Sequence, residues 1–203
     1  FLKTHNALCR IENTIFTDKE NTLAAIYIIR DPRNVINSIY NHFDKKSYQE
    51  ALEFMQDEKR CLLHKENNRF LGFISLFSWK LHQKSWIKNK LFPVLIIRYE
   101  DLQNKTFDTF KKVVDFIQST TKSNKSFDRE KAKNVVHSCQ FEKLKKMERK
   151  EGFVESVKKK SEDKKIDFFH LGPKNNYKEL LNKDLILKMN SIYKDELKEF
   201  KYE

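Results

Sequence analysis

Arg30 and Ser38 offer the clearest chemistry in this chain. They bracket the stretch RDPRNVINS, which follows directly on the apolar run Ala24 to Ile29 (AAIYII). An arginine fork and a hydroxyl held together suit a phosphate. The competing reading is an Arg–Asp pair that only braces a turn. Both readings call for the same local structure. A short unbroken apolar run reads as a buried strand of the kind found in parallel sheets. Asp31 can cap a helix that starts at once behind it, and Pro32 suits the first turn. Arg30 then stands at the carboxyl end of a strand, and Ser38 lies about two turns along the helix. Ligands of open α/β sheets bind at that edge.

The positioning elements can be read in order along the chain. Phe1-Leu2 reads as the tail of a strand, and Asn21 to Ile29 carries the next one. A helix runs from Asp31 to about Phe43. Tyr48 to Lys65 reads as a helix with Leu52, Met55 and Leu62 on one face. Phe70 to Lys90 places Phe73, Leu76, Phe77, Leu81 and Trp86 at helical spacing. Pro93 opens a strand, Val94 to Ile97, which ends in Arg98-Tyr99. Asp101 suits the cap of the helix that follows, with Phe107, Phe110, Val113, Val114 and Ile117 as its buried stripe. Further helices are expected over Arg129 to His137 and from about Asp184. The last of these should bury Leu185, Ile186, Met189, Ile192, Tyr193 and Leu197. This alternation predicts an α/β fold, a parallel sheet flanked by helices on both faces, in a single domain over 1–203. Lys143 to Lys165 breaks the pattern with dense charge and few apolar residues. It reads either as a solvated helix face with a loop, or as a mobile basic lid over 143–170 that orders on an anionic ligand.

Composition sets the outer limits. Seventeen Phe, seven Tyr and two Trp among 203 residues supply a real core, and three Gly with three Pro argue against long linkers. A formal net charge of +12 favours anionic partners: nucleotides, nucleic acid, acidic glycans or an anionic membrane surface. Cys9, Cys61 and Cys139 form neither a disulfide framework nor a metal pattern. Their odd number mildly favours a reducing compartment, hence a cytoplasmic location. No apolar stretch reaches the length of about 18 residues that a membrane span needs. Trp79 and Trp86 read as packing residues, and His64, His82 and His137 show no ligand spacing.

Phe1-Leu2-Lys3-Thr4-His5, then YIIRDPRNVINS, then Tyr99-Glu100-Asp101-Leu102, resemble successive landmarks of the sulfotransferase family, in its cytosolic flavour. The order and spacing match over nearly the whole chain, and the combination is far more specific than any one part. Phe141 to Lys145 resembles the segment leading into that family's cofactor-covering loop. Phe169-His170-Leu171-Gly172 and Asn176-Tyr177-Lys178 resemble its closing RKG and DWK elements. The resemblance implies a P-loop-kinase-like architecture and a co-substrate, 3′-phosphoadenosine 5′-phosphosulfate (PAPS), with no metal. It implies that Arg30 and Ser38 hold the 3′-phosphate and that Tyr99 and Phe141 pack at the adenine. The backbone of Leu171 and Gly172 would lie against the 3′-phosphate. His5 would be general base for the hydroxyl or amine of an acceptor, expected to be a small molecule, with Lys3 near the transferring sulfuryl group.

Departures from the family pattern qualify this. A Lys-bearing phosphate loop of PKSGTTW flavour does not occur here, so the chain is expected to be N-terminally incomplete or a degenerate member. His170-Leu171 stands where the family has Arg-Lys, and Lys174 or the lysines around Lys159 are candidate substitutes. Tyr177 replaces the usual Trp. The KxxxTVxxxE dimerisation pattern is not matched from Lys178 onward, which leaves the oligomeric state open. The rival readings are a non-catalytic relative that binds nucleotide or sulfated glycan, and a basic nucleic-acid module. The second is disfavoured because the basic residues are not interleaved with aromatics in a binding motif.

Overall fold

The computed structural model of the chain describes residues 1–66, 69–158 and 165–203. Two short strands, β1 (Arg10–Ile11) and β2 (Thr14–Ile15), pair antiparallel. Strand β3 (Ala25–Ile29) is the expected apolar run. It starts four residues later than the sequence suggests, because residues 18–22 form a turn. In that turn the Asp18 carboxylate takes the Glu20 and Asn21 N–H groups. Helix α1 (Pro32–His42) follows at once, with Asp31 as its cap and Pro32 in its first turn, as read.

Helix α2 (Tyr48–Gln56) stops well short of the expected Lys65. Asp57 closes it, its side chain taking the Lys59 N–H at 2.9 Å. The chain then enters a hairpin of β4 (Cys61–Glu66) and β5 (Arg69–Ser75), paired antiparallel from Cys61↔Ser75 to Glu66↔Arg69. Phe70 to Lys90 is therefore not one helix. Only α3 (Trp79–Ile87) is helical, starting where the Ser78 hydroxyl accepts the Leu81 N–H. Leu52 and Met55 are buried as read, but Leu62 belongs to β4. Short apolar runs fit helix and strand alike, and the turn chemistry between them decides.

Strand β6 (Val94–Arg98) neighbours β3 in the sheet, as the parallel α/β reading requires. Helix α4 (Tyr99–Asn104) begins directly at its end. Asp101 is thus inside α4 rather than capping the next helix, and its carbonyl receives the Thr109 hydroxyl at 3.0 Å. Helix α5 (Thr106–Thr121) keeps its apolar stripe half-buried, and only Thr109 is fully buried. Helices α6 (Arg129–Ser138) and α7 (Phe141–Glu151) follow, then the strand pair β7 (Val157–Lys158) and β8 (Lys165–Ile166). A 3₁₀ turn over Gly172–Lys174 leads into α8 (Tyr177–Leu180), α9 (Lys183–Ile192) and α10 (Lys194–Glu199). Phe1 and Leu2 are fully exposed and lie in no strand. They pair with no described strand, so their apolar character alone does not make one.

The chain divides into two compact units. One comprises residues 1–29 and 52–97, and the other 30–51 and 98–203. The first holds the β3–β6 pair, the β4–β5 hairpin and α3, with Trp86 and Phe92 in its core. In the second, α1 packs on α8 and α9. Ile36, Met189 and Tyr193 are sealed from water there. Each such side chain contributes about 1.5–3 kcal/mol. Among the described residues no helix is long and apolar enough to cross a membrane. Residues 159–164 of the basic segment, Lys159 among them, lie outside the described residues.

Candidate functional site

The two arginines of RDPR have different partners. Asp31 caps α1 by taking the Arg33 N–H at 2.8 Å. The same carboxylate takes the Arg33 guanidinium, with Nη2 to Oδ2 at 2.7 Å and both side chains 6% exposed. Arg33 also donates to the Asn190 side chain and to the Tyr202 carbonyl, and its guanidinium lies 4.2 Å over the Tyr177 ring. The turn-bracing reading thus describes Arg33. Arg30 instead lies over the ring of Tyr99, 4.2 Å from its centroid. Its Nε is sequestered from water and has no hydrogen-bond partner among the described residues. Burial pushes the Arg30 guanidinium below its ordinary value, while Tyr99, Glu100 and Asp31 pull it back. Glu100 fixes the turn itself by accepting the Asp31 N–H at 3.1 Å.

Ser38 sits on α1 and is exposed. A short link joins it to the chain after Gly172. Asn175 is buried, its Oδ1 accepting from Asn37 at 2.8 Å while its Nδ2 donates to the Asn34 carbonyl and to Ser38 Oγ. The Tyr177 N–H donates to the Asn34 side chain at 2.8 Å. These bonds fasten the 172–177 turn along α1. Gly172 has a φ of +52°, and a Cβ there would lie 2.3 Å from the Phe141 ring. Only glycine permits both that backbone and that approach. The structure therefore brings Ser38, Leu171-Gly172 and Phe141 into one neighbourhood of the second unit.

Several contributors were not legible as such in the sequence. Lys145, one turn beyond Phe141, donates to the His170 carbonyl at 2.9 Å and lies 5.6 Å over the Phe141 ring. It brings a cation to the stretch where the sequence has His170-Leu171 and no Lys or Arg. The signal for it was the i, i+4 spacing from Phe141 on one helix face. Lys174 sits in the 3₁₀ turn after Leu171 and is exposed. Asn34, Asn37 and Asn175 act through pairings far apart in sequence, which no local pattern announces. A cavity of about 290 Å³ on α5 and α6, lined by Phe107, Arg129, Lys133 and His137, holds none of the expected site residues.

Lys3 and His5 belong to the other unit, in an exposed segment without helix or strand. Helix α3 and strand β5 hold that segment at successive backbone groups. The Trp86 Nε1–H donates to the Asn6 carbonyl at 3.0 Å, and Ser85 Oγ accepts the Leu8 N–H at 2.9 Å. The Asn6 side chain takes the Ser75 N–H, and the Ala7 N–H donates to the Ser75 carbonyl. His82 lies 3.2 Å by Nε2 from the His5 carbonyl and 2.8 Å by Nδ1 from the Tyr27 hydroxyl. A neutral ring satisfies both contacts, with Nε2–H donating and Nδ1 accepting. Burial lowers the His82 pKa below the ordinary 6.5, which favours that neutral form. His82 thus positions the backbone that carries His5.

Comparison with known proteins follows the same lines. The family described as "Sulfotransferase domain" matches residues 1–201. Sulfotransferase 1A1 of Rattus norvegicus is 28% identical over 152 residues, covering 71% of this chain and 44% of that protein. The 3-alpha-hydroxysteroid sulfotransferase of Cavia porcellus is 28% identical over 115 residues, 56% of this chain and 37% of that protein. The chain thus spans less than half the length of these curated relatives. Among solved structures, mouse sulfotransferase SULT7A1 complexed with PAP superposes with a TM-score of 0.56 at 15% identity. That match covers 85% of this chain and 57% of the other, and it concerns the fold.

Proposed function

The chain belongs to the sulfotransferase family, and from that premise we propose that it takes part in sulfuryl transfer from PAPS to a hydroxyl or amine of a small acceptor. The observation that carries the reading is Arg30. A half-buried guanidinium whose Nε is sequestered from water and unpartnered among the described residues, directly behind a β-strand and beside a helix bearing Ser38, is built to receive an anion. Arg30 and Ser38 hold the 3′-phosphate, and the backbone of Leu171 and Gly172 lies against it. Phe141 and Tyr99 supply aromatic surface for the adenine. PAPS supplies an activated sulfuryl group with a phosphate as its leaving group. No metal is needed, because a sulfuryl group carries less charge than a phosphoryl group.

His5 takes the proton of the attacking hydroxyl, an effect worth roughly 10²–10⁴-fold. Lys3 stabilises charge that grows on the leaving phosphate oxygen, favouring the transition state over the ground state. The basic segment from 143 to 170, of which residues 159–164 lie outside the described residues, is proposed as a cover for the anionic ligand, and a location in the cytoplasm fits this assignment.

The His170-Leu171 pair, standing where the family has Arg-Lys, favours a second reading, a relative that binds the nucleotide without turning over. Calorimetric titration of 3′,5′-bisphosphoadenosine into the protein and into Arg30→Ala, without metal, tests binding. Transfer of the sulfuryl group from PAPS to an acceptor panel, read as sulfated acceptor and released 3′,5′-bisphosphoadenosine, with His5→Ala as control, tests chemistry. Loss of binding in Arg30→Ala and loss of turnover in His5→Ala are the expected results. Binding by Arg30→Ala equal to that of the parent would overturn the assignment, and binding without turnover on any acceptor would select the second reading.

A further inference from the structure

Glu148 lies on α7, two turns beyond Phe141, and is 5% exposed. A carboxylate is almost never so buried without partners that repay its lost hydration. Both oxygens are occupied by donors from the chain that follows. Oε1 accepts from the Ser156 hydroxyl at 2.6 Å and from the Phe168 N–H at 2.7 Å. Oε2 accepts from the Phe169 N–H at 2.8 Å. These are short, charge-assisted bonds. They tie two places, 12 residues apart between Ser156 and Phe168, to one side chain.

Aromatic rings close over the same point. Phe153 meets Phe168 at 4.6 Å and Phe169 at 5.3 Å, and Phe169 meets Phe141 at 6.1 Å. The residue after Phe169 is His170, whose carbonyl is held by Lys145. Then come Leu171 and Gly172, the latter against Phe141. An apolar side chain at 148 could fill the space among these rings. It could not fix the direction of two consecutive backbone N–H groups, which sets the path of the chain into Leu171-Gly172.

We propose that Glu148 is a positioning residue for the phosphate cradle, latching residues 156 and 168–169 to α7 so that Leu171-Gly172 meets Phe141 in register. The proposal rests on the cofactor reading given above. It places the control of affinity in a side chain that touches no ligand. Without the latch, the competent arrangement of the cradle is one among several, and apparent affinity falls by the fraction lost.

The test uses Glu148→Gln, which keeps volume and polarity but offers one acceptor oxygen in place of two. Hydrogen exchange is followed at the Phe168 and Phe169 amides, and 3′,5′-bisphosphoadenosine is titrated by calorimetry. Met189→Ala, a cavity in the core of the same unit, controls for general destabilisation. The expected result is faster exchange at those two amides and binding about tenfold weaker in Glu148→Gln. Met189→Ala should bind as the parent does. Glu148→Gln binding within about twofold of the parent would overturn the proposal, as would an equal loss in Met189→Ala. Unchanged exchange at both amides would overturn the latch on its own. If the parent protein does not bind the nucleotide, the cofactor reading fails and the positioning role with it, while the exchange data still report separately whether the latch exists.

Discussion

Replacing Arg33 by Leu should destabilise the protein, whereas replacing Arg30 by Leu should mainly remove ligand binding. Arg33 and Asp31 form an ion pair with both side chains 6% exposed. Arg33 further donates to Asn190 and to the Tyr202 carbonyl. Removing one partner of such a pair strands a buried charge, at a cost of about 3–5 kcal/mol. Asp31 keeps its bond to the backbone of residue 33, and its place at the start of α1 returns about 0.3–1 kcal/mol. A net loss near 3 kcal/mol in a chain of this size lowers the melting temperature by about 6–12 °C. Arg30 loses its stacking on Tyr99, worth about 0.5–2 kcal/mol, and the attraction of Glu100 and Asp31, which the burial of its charge opposes. The charge-assisted phosphate contact proposed for it would contribute about 1.5–3 kcal/mol, so 3′,5′-bisphosphoadenosine should bind roughly 10- to 150-fold more weakly. Thermal melting and calorimetric titration of both variants decide the matter. The reasoning is refuted if Arg33→Leu melts within about 2 °C of the parent, or if Arg30→Leu is the less stable variant and retains full affinity.

Two further predictions concern single contacts. Gly172→Ala combines a φ of +52° with a Cβ that would overlap the Phe141 ring. It should cost about 1–3 kcal/mol and weaken nucleotide binding, and Phe141→Leu in the same chain should recover part of the stability but not the binding. Melting curves and titrations of the single and double variants would show an absence of that recovery as evidence against the contact. Burial lowers the His82 pKa from 6.5, so the unfolded chain binds more protons than the folded one below that pH. The stability His82 contributes is complete above pH 6.5 and is lost as pH falls below it. His82→Phe should therefore melt lower than the parent at neutral pH, with the gap closing on acidification; a gap that widens would contradict a neutral, buried ring.

The sequence made the strand–turn–helix at Ile29 to Phe43 legible because every local signal agreed. An apolar run, an Asp cap and a Pro in the first turn all favour one structure. Val94 to Ile97 and the apolar spacing around Met189 were legible for the same reason. The β4–β5 hairpin was not. Leu62, Phe73 and Leu76 fit a helical stripe as well as a strand, and short apolar runs of this kind do not decide between the two. Asp57 and Ser78 fix the ends of α2 and α3 by side-chain bonds, and both were available in the sequence as stop and start signals.

The division of labour between Arg30 and Arg33 could not be read from RDPR alone, because it is set from far away in the chain. Arg33 is claimed by Asn190 and the Tyr202 carbonyl, partners 157 and 169 residues distant. Once Asp31 and those groups are taken, Arg30 is left with the face of Tyr99. Stacking fixes the plane of a guanidinium but uses none of its N–H groups, all of which lie in that plane. An arginine held by its face keeps its edge available for an anion, whereas one held by its edge is spent on structure. Tyr99 therefore does more than offer aromatic surface. It orients the Arg30 fork, and Tyr99→Leu should lower nucleotide affinity even where the adenine finds other apolar contacts, while Tyr99→Phe should keep it. A titration in which Tyr99→Phe loses as much affinity as Tyr99→Leu would assign the effect to the hydroxyl and remove the stacking argument.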